Sequence, residues 1–133
     1  MSEDYISNLE SLNKRHPDTN FVAVTVPLIA IQTGPKAWIK RLLGKKPSGY
    51  LDNARRMEFN NLLRERYHSA GRLFDLARVE SQSSGKSCLV HVDGQEIEVL
   101  CPELKGDGNH LNERGQVLAA SAFLSFVNSL PVK

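Results

Sequence analysis

The hydrophobic and polar positions of this chain predict helices that alternate with short buried strands. Near the start of the chain, Ile6, Leu9 and Leu12 recur at helical spacing. Ser2 is a residue type that caps helices, and the pattern stops at His16-Pro17. Residues 21–26 are an apolar run without polar alternation, which is typical of a parallel strand covered on both faces. A helix followed by a buried strand indicates an α/β layer.

The middle of the chain continues this alternation. Pro35 is suited to open a short helix whose apolar residues share one face, and we expect that face to dock on the core; they are Trp38, Ile39, Leu42 and Leu43. Asp52 is the predicted cap of a longer helix over about residues 53–69, ended by Gly71 and carrying Met57, Phe59, Leu62, Leu63 and Tyr67 at helical spacing. Residues 73–76 predict a second short buried strand, and residues 81–86 a flexible connector.

Asp93-Gly94 is a two-residue turn signal that predicts a β-hairpin. Its register sets Cys88 opposite Val99, and the further pairs are Val90 with Ile97, Val92 with Gln95 and His91 with Glu96. Cys101 is then diagonal to Cys88, a geometry that is marginal for a disulfide, so we expect both cysteines to be reduced thiols. Their spacing also lacks the pattern of a metal site.

The last segment predicts a helix capped by Asn112, with Val117, Leu118, Phe123, Leu124, Phe126 and Val127 as its apolar positions. No repeat or linker divides the chain, so residues 1–133 are expected to belong to one domain. The order of elements places its fold in the α/β class.

Composition and charge exclude several classes of function. The chain has 133 residues, of which 41% are hydrophobic and 24% charged, as in ordinary soluble domains. A net charge of +2 gives no argument for a nucleic-acid partner, and the longest apolar stretch, residues 21–31, is too short to span a bilayer. The acidic start, with Glu3 and Asp4, shows no signal peptide, so the chain as written is expected in the cytoplasm.

The stretch from Lys36 to Lys46 is a local exception to the even spread of charge, with Lys40, Arg41 and Lys45 between its ends. The favoured interpretation is a solvated basic face above the docked apolar stripe. The alternative is contact with an anionic ligand or surface.

Asp107 and His110 are the strongest candidates for catalysis. A carboxylate that accepts a hydrogen bond from one imidazole nitrogen leaves the other free to take a proton from a hydroxyl nucleophile. The pair lies on a glycine-rich loop directly before a helix, where side chains can project from a rigid scaffold. On spacing alone, loop capping and ordinary hydrogen bonding remain the stronger alternative.

Other candidates have simpler explanations. His16 and His68 lie near helix ends that favour positive charge, and His91 faces Glu96. Asp75 is expected to accept structural hydrogen bonds at a strand end. The segment Ser83-Ser84-Gly85-Lys86-Ser87 ends like a phosphate-binding loop, but that motif needs glycine where Glu80 stands. Ser11 and Lys14 have the spacing of a serine-lysine pair, which we attribute to chance.

Four phrases resemble the C-terminal half of the SGNH hydrolases, the GDSL-type esterase and lipase family. They cover nearly the whole chain: Phe21-Val22-Ala23-Val24-Thr25-Val26-Pro27-Leu28, Asn53-Ala54-Arg55-Arg56 with Phe59-Asn60, Leu73-Phe74-Asp75-Leu76-Ala77-Arg78 with Glu80, and Asp107-Gly108-Asn109-His110-Leu111-Asn112-Glu113. The last phrase is the specific one, because the family's closing block supplies Asp-x-x-His, which maps onto Asp107 and His110.

The resemblance implies a three-layer α/β/α sandwich of the flavodoxin-like, SGNH type, here with an incomplete parallel sheet and an added β-hairpin. It also implies ester hydrolysis without cofactor or metal, on acyl or acetyl esters such as acylated carbohydrates or lipids. His110 would be the general base and acid, and Asp107 would orient it. A full-length form would be secreted or periplasmic.

Two of the family's blocks are absent. No serine in this chain follows an aspartate, so no residue is assigned as nucleophile, and no Gly-x-Asn-Asp is present to complete an oxyanion hole. The chain by itself is therefore expected to be inactive, with the serine supplied by a complementing N-terminal half. The competing interpretation is a non-catalytic interaction module, a decayed hydrolase half that pairs its open edge and uncovered apolar face as a homodimer.

Overall fold

The computed structural model describes residues 2–32, 34–92 and 94–132, and about half of the chain is helical. The helices are α1 (Ser2–Arg15), α2 (Pro35–Leu42), α3 (Tyr50–Tyr67), α4 (Leu76–Glu80) and α5 (Glu113–Ser129). The strands are β1 (Ala23–Val24), β2 (Leu73–Phe74), β3 (Gln82–Ser83), β4 (Lys86–Ser87), β5 (Leu89–Val92) and β6 (Gln95–Glu98), and a 3-10 turn covers Pro102–Leu104. The predicted first helix is confirmed, although the side chain of its proposed cap, Ser2, lies outside the described part.

A short parallel pair, β1 with β2, confirms the expected parallel relation of the two strands, but Val24 is exposed, so the prediction that β1 is covered on both faces is wrong. Ala23 pairs with Leu73, and Val24 pairs with Phe74. One core cluster covers this pair, where α1 and α3 contribute Leu9, Leu63 and Tyr67 beside Ala23 and Leu73. The class is mixed α/β as predicted, and among the described residues β1 and β2 pair with no third strand.

The chain leaves the sheet after β1, and asparagines of α3 then bind its backbone. Asn60 accepts a hydrogen bond from the Val26 N–H at 2.7 Å and donates to the Val26 carbonyl at 2.9 Å. Asn53 does the same for Ile29, at 2.9 and 2.7 Å. Both asparagine side chains are fully buried. They replace the hydrogen bonds that a neighbouring strand would supply.

The two residues between these points are held in the same way. The Arg56 guanidinium donates to the Pro27 carbonyl at 2.6 Å, and a Glu80 carboxylate oxygen accepts from the Leu28 N–H at 2.5 Å. Leu28 packs into a second core cluster with Ala77, Leu100, Cys101 and Leu104. We call this set of contacts on residues 26–29 the backbone clamp.

The long helix α3 begins earlier than predicted. Its cap is Gly49, with a φ of 84°, and Asp52 lies inside the first turn instead of capping it. A Cβ at Gly49 would lie 2.7 Å from the Ala30 carbonyl oxygen, so the close approach of these two segments requires glycine.

The predicted flexible connector over residues 81–86 is wrong, because β3 and β4 form a small antiparallel hairpin there. Its turn residues, Ser84 and Gly85, have φ values of 51° and 73°. Positive φ at both turn positions matches the twist of two paired strands.

The larger hairpin of β5 and β6 has the predicted register, with Val90 opposite Ile97 and His91 opposite Glu96. The Gly94 half of its turn signal has a φ of 75°, while Asp93 lies outside the described residues.

The expected reduced thiols are a second error, because Cys88 and Cys101 form a disulfide with a Cα–Cα distance of 5.3 Å. The chain departs from hairpin pairing after Val99: the Leu100 N–H donates to the Ile29 carbonyl and the Cys101 N–H to the Glu80 carbonyl. This bend carries Cys101 out of the diagonal position that a regular strand would give it, and so brings it within bonding reach of Cys88.

The apolar stripe of α2 is also placed differently from the prediction. Its helix is confirmed, but the stripe is exposed to solvent, and Ala37 is the residue that faces the protein; the exposed side chains are Trp38, Ile39, Leu42 and the following Leu43. Docking of this stripe on the core is therefore wrong.

Replacing Asn60 tests the backbone clamp. The Asn60→Ala variant leaves the partly buried N–H and carbonyl of Val26 without their protein partner, at a cost of about 1–2 kcal/mol for each group. We expect the free energy of unfolding, measured by urea denaturation, to fall by about 2–4 kcal/mol. Asn8→Ala, on the exposed side of α1, is the matched control and should change stability by less than about 0.5 kcal/mol. Equal effects of the two substitutions would contradict the clamp.

Candidate functional site

The loop that carries Asp107 and His110 is closed by its own backbone. Lys105 and Leu111 form an antiparallel bridge at its base, and the Gly106 N–H donates to the His110 carbonyl at 2.7 Å. The His110 N–H donates to the Asp107 carbonyl at 3.1 Å, which makes a tight turn of the four residues from Asp107 to His110. The predicted candidates are thus held on one short turn.

Asn112 joins this loop to α5, as the sequence predicts. Its side-chain oxygen accepts from the Gly115 N–H at 2.9 Å, and its amide nitrogen donates to the Glu103 carbonyl at 2.9 Å. Its backbone N–H also donates to the Leu104 carbonyl at 2.8 Å. A Cβ at Gly115 would lie 2.9 Å from a Leu111 methyl, so glycine lets the helix start pack closely against the loop.

Both candidate side chains are exposed at the surface of this turn. Asp107 and His110 meet through their backbone hydrogen bond, and within the described chain no hydrogen bond joins the Asp107 carboxylate to the His110 imidazole. Since both side chains are free of burial, their rotamers can change without displacing the core. Their assignment as catalytic residues stays a prediction.

A cleft of about 790 Å³ lies beside this loop, and Asn109 and Lys105 are among its lining residues. One wall is the segment 29–32, which leads away from the backbone clamp, and another is formed by residues 87–90 with Val99 and Leu100. The Cys88 half of the disulfide lines the second wall. Apolar surface predominates in the lining, with aliphatic side chains at 29–31, 89–90 and 99–100, and Gln32, Ser48 and Asp52 add polar groups.

A polar cluster around Arg64, in the C-terminal part of α3, is structural, as expected for Asp75. Its carboxylate accepts from Arg64 Nε at 2.7 Å and Nη2 at 3.0 Å, from Thr25 Oγ1 at 3.2 Å and from the Arg78 N–H at 3.1 Å. Arg64 also contacts Glu98 Oε2 at 2.9 Å. Burial opposes ionisation of Asp75, but the hydrogen bonds and charge of Arg64 outweigh it, so the pKa of this carboxyl is lowered.

Glu80 is a buried carboxyl that the sequence analysis names only in the failed phosphate-binding motif and in one phrase of the family resemblance. It is almost fully buried. Burial raises the pKa of Glu80, and the Leu28 N–H and the Arg56 charge oppose the rise only in part. Its place in the backbone clamp gives it a structural role.

The remaining candidates fall outside any catalytic grouping. His91 Nε2 lies 3.0 Å from Glu96 Oε2 on the exposed face of the hairpin, and His68 caps the end of α3. Ser83 donates to Glu103 at 2.5 Å, so the segment once compared with a phosphate-binding loop is a hairpin edge. Within residues 2–32, 34–92 and 94–132, no group of three histidine, cysteine or acidic side chains is placed to hold a metal ion.

Among the described helices, none has both the length and the apolar character to cross a bilayer.

Replacing Glu80 by glutamine tests its buried charge. A folded-state pKa above the unfolded value means that the protonated form stabilises the fold; this contribution is full below the unfolded pKa, about 4.3, and is lost as pH rises through the folded pKa. Glu80→Gln keeps an oxygen for the Leu28 N–H and removes the buried charge. We expect its free energy of unfolding, relative to the native chain, to rise between pH 4 and pH 7 in urea titrations.

Asp75 titrates in both the native chain and the variant, so its contribution cancels in the difference between their free energies of unfolding. Glu58→Gln, at an exposed position of α3, is the control for the loss of one carboxylate charge without burial. A stability difference for Glu80→Gln that does not change with pH would contradict the raised pKa of Glu80, and a loss that grows as pH rises would mean that the fold prefers its ionised form.

Comparison with models of protein families, with curated proteins and with solved structures finds no match to this chain.

Proposed function

We propose that this chain is the Asp-His part of an SGNH-type ester hydrolase whose serine nucleophile comes from outside these 133 residues. His110 is the general base and acid, and Asp107 orients its imidazole. The observation that carries the proposal is the closed loop before α5, which holds both side chains exposed on a single turn beside the cleft.

The proposed chemistry needs one proton carrier and one orienting group from this chain. The imidazole of His110 takes the proton of the serine hydroxyl as its oxygen attacks the ester carbonyl carbon, and then gives that proton to the departing alcohol oxygen. Water, deprotonated by the same imidazole, releases the acid from the acyl-serine. Rotation of the exposed Asp107 side chain toward the imidazole supplies the orienting hydrogen bond.

The cleft supports an acyl ester as the substrate class. Its volume of about 790 Å³ is in the range of pockets that hold small molecules, and its aliphatic walls suit an acyl chain or the apolar face of a sugar. Asn109, next to His110 in sequence, lines the cleft, so the proposed base lies close to it.

The open side of the parallel pair supports completion by another segment. β1 pairs with β2 on one edge and, among the described residues, with no strand on the other. A three-layer sandwich of the proposed kind would add its further parallel strands at this edge, and one of them would end at the serine. The sandwich itself remains part of the proposal.

Fluorophosphonate labelling tests the missing nucleophile, because this probe reacts with activated serines. We expect no labelling of the 133-residue chain alone, and labelling of a polypeptide that joins it to an upstream segment containing a strand and Gly-Asp-Ser. In that longer protein, His110→Ala should reduce ester hydrolysis by roughly 10³-fold or more while the thermal melt is unchanged.

His91→Ala is the matched control for that variant and should leave hydrolysis unchanged, since His91 pairs with Glu96 on the hairpin. Labelling of the isolated chain would show that a serine within it is activated and would overturn the proposal. Unchanged turnover in His110→Ala would remove that residue from the mechanism.

A second candidate, a non-catalytic module that forms homodimers, is favoured by the exposed apolar side chains of α5. They are Val117, Leu118, Phe123, Leu124 and Val127. Phe123 and Phe126 contact Phe74 of β2, with ring centroids 5.2 and 5.7 Å apart from it, so α5 lies over the parallel pair. One side of α5 therefore packs on the parallel pair, and its other, apolar side is open to another polypeptide or a second copy.

Sedimentation measures whether the chain self-associates through α5. We expect the native chain to be dimeric or larger at about 50 μM, and Leu124→Glu to weaken the association at least tenfold, since a charge in an apolar contact is desolvated on assembly. Leu51→Glu is the control, because Leu51 on α3 is similarly exposed, at 55% against 62% for Leu124. A native chain that is monomeric at this concentration would exclude the homodimer.

A further inference from the structure

A second exposed apolar surface lies on α2, remote in sequence from the proposed site. Its members follow one another at positions that share a helix face, and they are Trp38, Ile39, Leu42 and Leu43, exposed by 65%, 51%, 64% and 68%. We call this set the α2 face. Four adjacent large apolar side chains in solvent exceed the scattered exposure that is normal at a protein surface.

The position of α2 on the protein keeps this face outward. Ala37, on the opposite side of the helix, is buried. The Lys40 ammonium donates to Gln32 Oε1 at 2.7 Å and to Ser48 Oγ at 3.0 Å, which ties the helix to the segments before and after it. The α2 face is therefore fixed in orientation before any partner arrives.

The charged residues in the sequence around the α2 face are all basic. No acidic residue occurs between Asp18 and Asp52, and the same interval contains five cations, Lys36, Lys40, Arg41, Lys45 and Lys46. Lys36 and Lys45 are exposed at the two ends of the helix and its following turn. The Lys46 ammonium lies 4.9 Å from the centre of the Tyr50 ring, at the start of α3.

We propose that the α2 face docks on an anionic lipid surface. Short amphipathic helices with tryptophan and leucine on one side and lysines around them lie in the plane of a bilayer interface, with the apolar side chains among the upper acyl groups. Lysine side chains extend from such a face to the phosphates of the headgroups. The α2 face has both parts, and its indole can lie at the boundary between them.

Charge complementarity selects this occupant over the alternatives. A second copy docked through the same face would bring two copies of the same basic segment together, with Lys36 and Lys45 of each exposed, and these charges repel. A neutral apolar surface would cover the four apolar side chains but offer no opposite charge to Lys36 and Lys45. An anionic bilayer supplies a negative surface and an apolar layer at the same contact.

The single tryptophan of the chain makes the test direct, since Trp38 is the only indole that fluoresces. The protein, at about 1 μM to limit self-association, is titrated with vesicles of phosphatidylcholine containing phosphatidylglycerol and with vesicles of phosphatidylcholine alone. We expect a blue shift of Trp38 emission and co-sedimentation with the anionic vesicles, at least tenfold stronger than with the neutral ones. High salt should weaken the binding.

Two variants separate the apolar and the charged parts of the surface. Leu42→Glu, and independently the pair Lys36→Glu with Lys45→Glu, should each weaken vesicle binding tenfold or more. Leu51→Glu on α3 places the same new charge at an exposed leucine outside both the α2 face and the apolar side of α5, and it should leave vesicle binding unchanged. Circular dichroism checks that each variant is folded.

Three results would each overturn the proposal. One is an unchanged Trp38 emission in the presence of anionic vesicles. Another is an equal shift with neutral vesicles or with soluble polyglutamate, which would indicate a purely apolar contact or an acidic protein partner. The third is a shift that follows protein concentration without lipid, which would identify a second copy as the occupant.

Discussion

The side chains of α3 that bind the backbone of residues 26–29 are the contact on which the rest of the structure depends. Asn53 and Asn60 satisfy both polar groups of two residues after the chain has left the parallel pair. The Ile29 carbonyl then accepts the Leu100 N–H, so the clamped segment also sets where the larger hairpin ends. From there the 3-10 turn leads to the loop of Asp107 and His110. Sheet, cleft and candidate site are thus connected through a segment that has no regular structure of its own.

Local signals in the sequence predicted the elements that depend on neighbouring residues. Helical spacing placed α1 and α5, the Asp93-Gly94 turn gave the hairpin register, and the lack of polar alternation in residues 21–26 indicated a parallel strand. The backbone clamp was missed because its asparagines act on residues about thirty positions away. A usable signal existed: Asn53 and Asn60 are seven positions apart and share a helix face with Tyr67, which is buried. Polar residues on a buried face require partners.

The errors have related causes. The disulfide was rejected because a regular hairpin would leave Cys101 diagonal to Cys88, whereas long-range hydrogen bonds bend the strand after Val99. The docked stripe of α2 was predicted from periodicity, which shows that four apolar residues share a face but does not show what that face meets. For the candidate site, spacing found Asp107 and His110, and the fold placed them on one turn. The identity of a reaction partner is not encoded in these residues, because it depends on groups that lie outside them.

The disulfide encloses the whole of the larger hairpin, since Cys88 precedes β5 and Cys101 follows β6. The turn at Gly94 is exposed, and turns of this kind are preferred sites of proteolytic cleavage. A cut there would leave the two strands joined through the sulfur atoms, so the polypeptide would keep its mass until a reductant was added. The disulfide therefore keeps both strands of this cleft wall attached to the protein after proteolytic cleavage of the exposed turn between them.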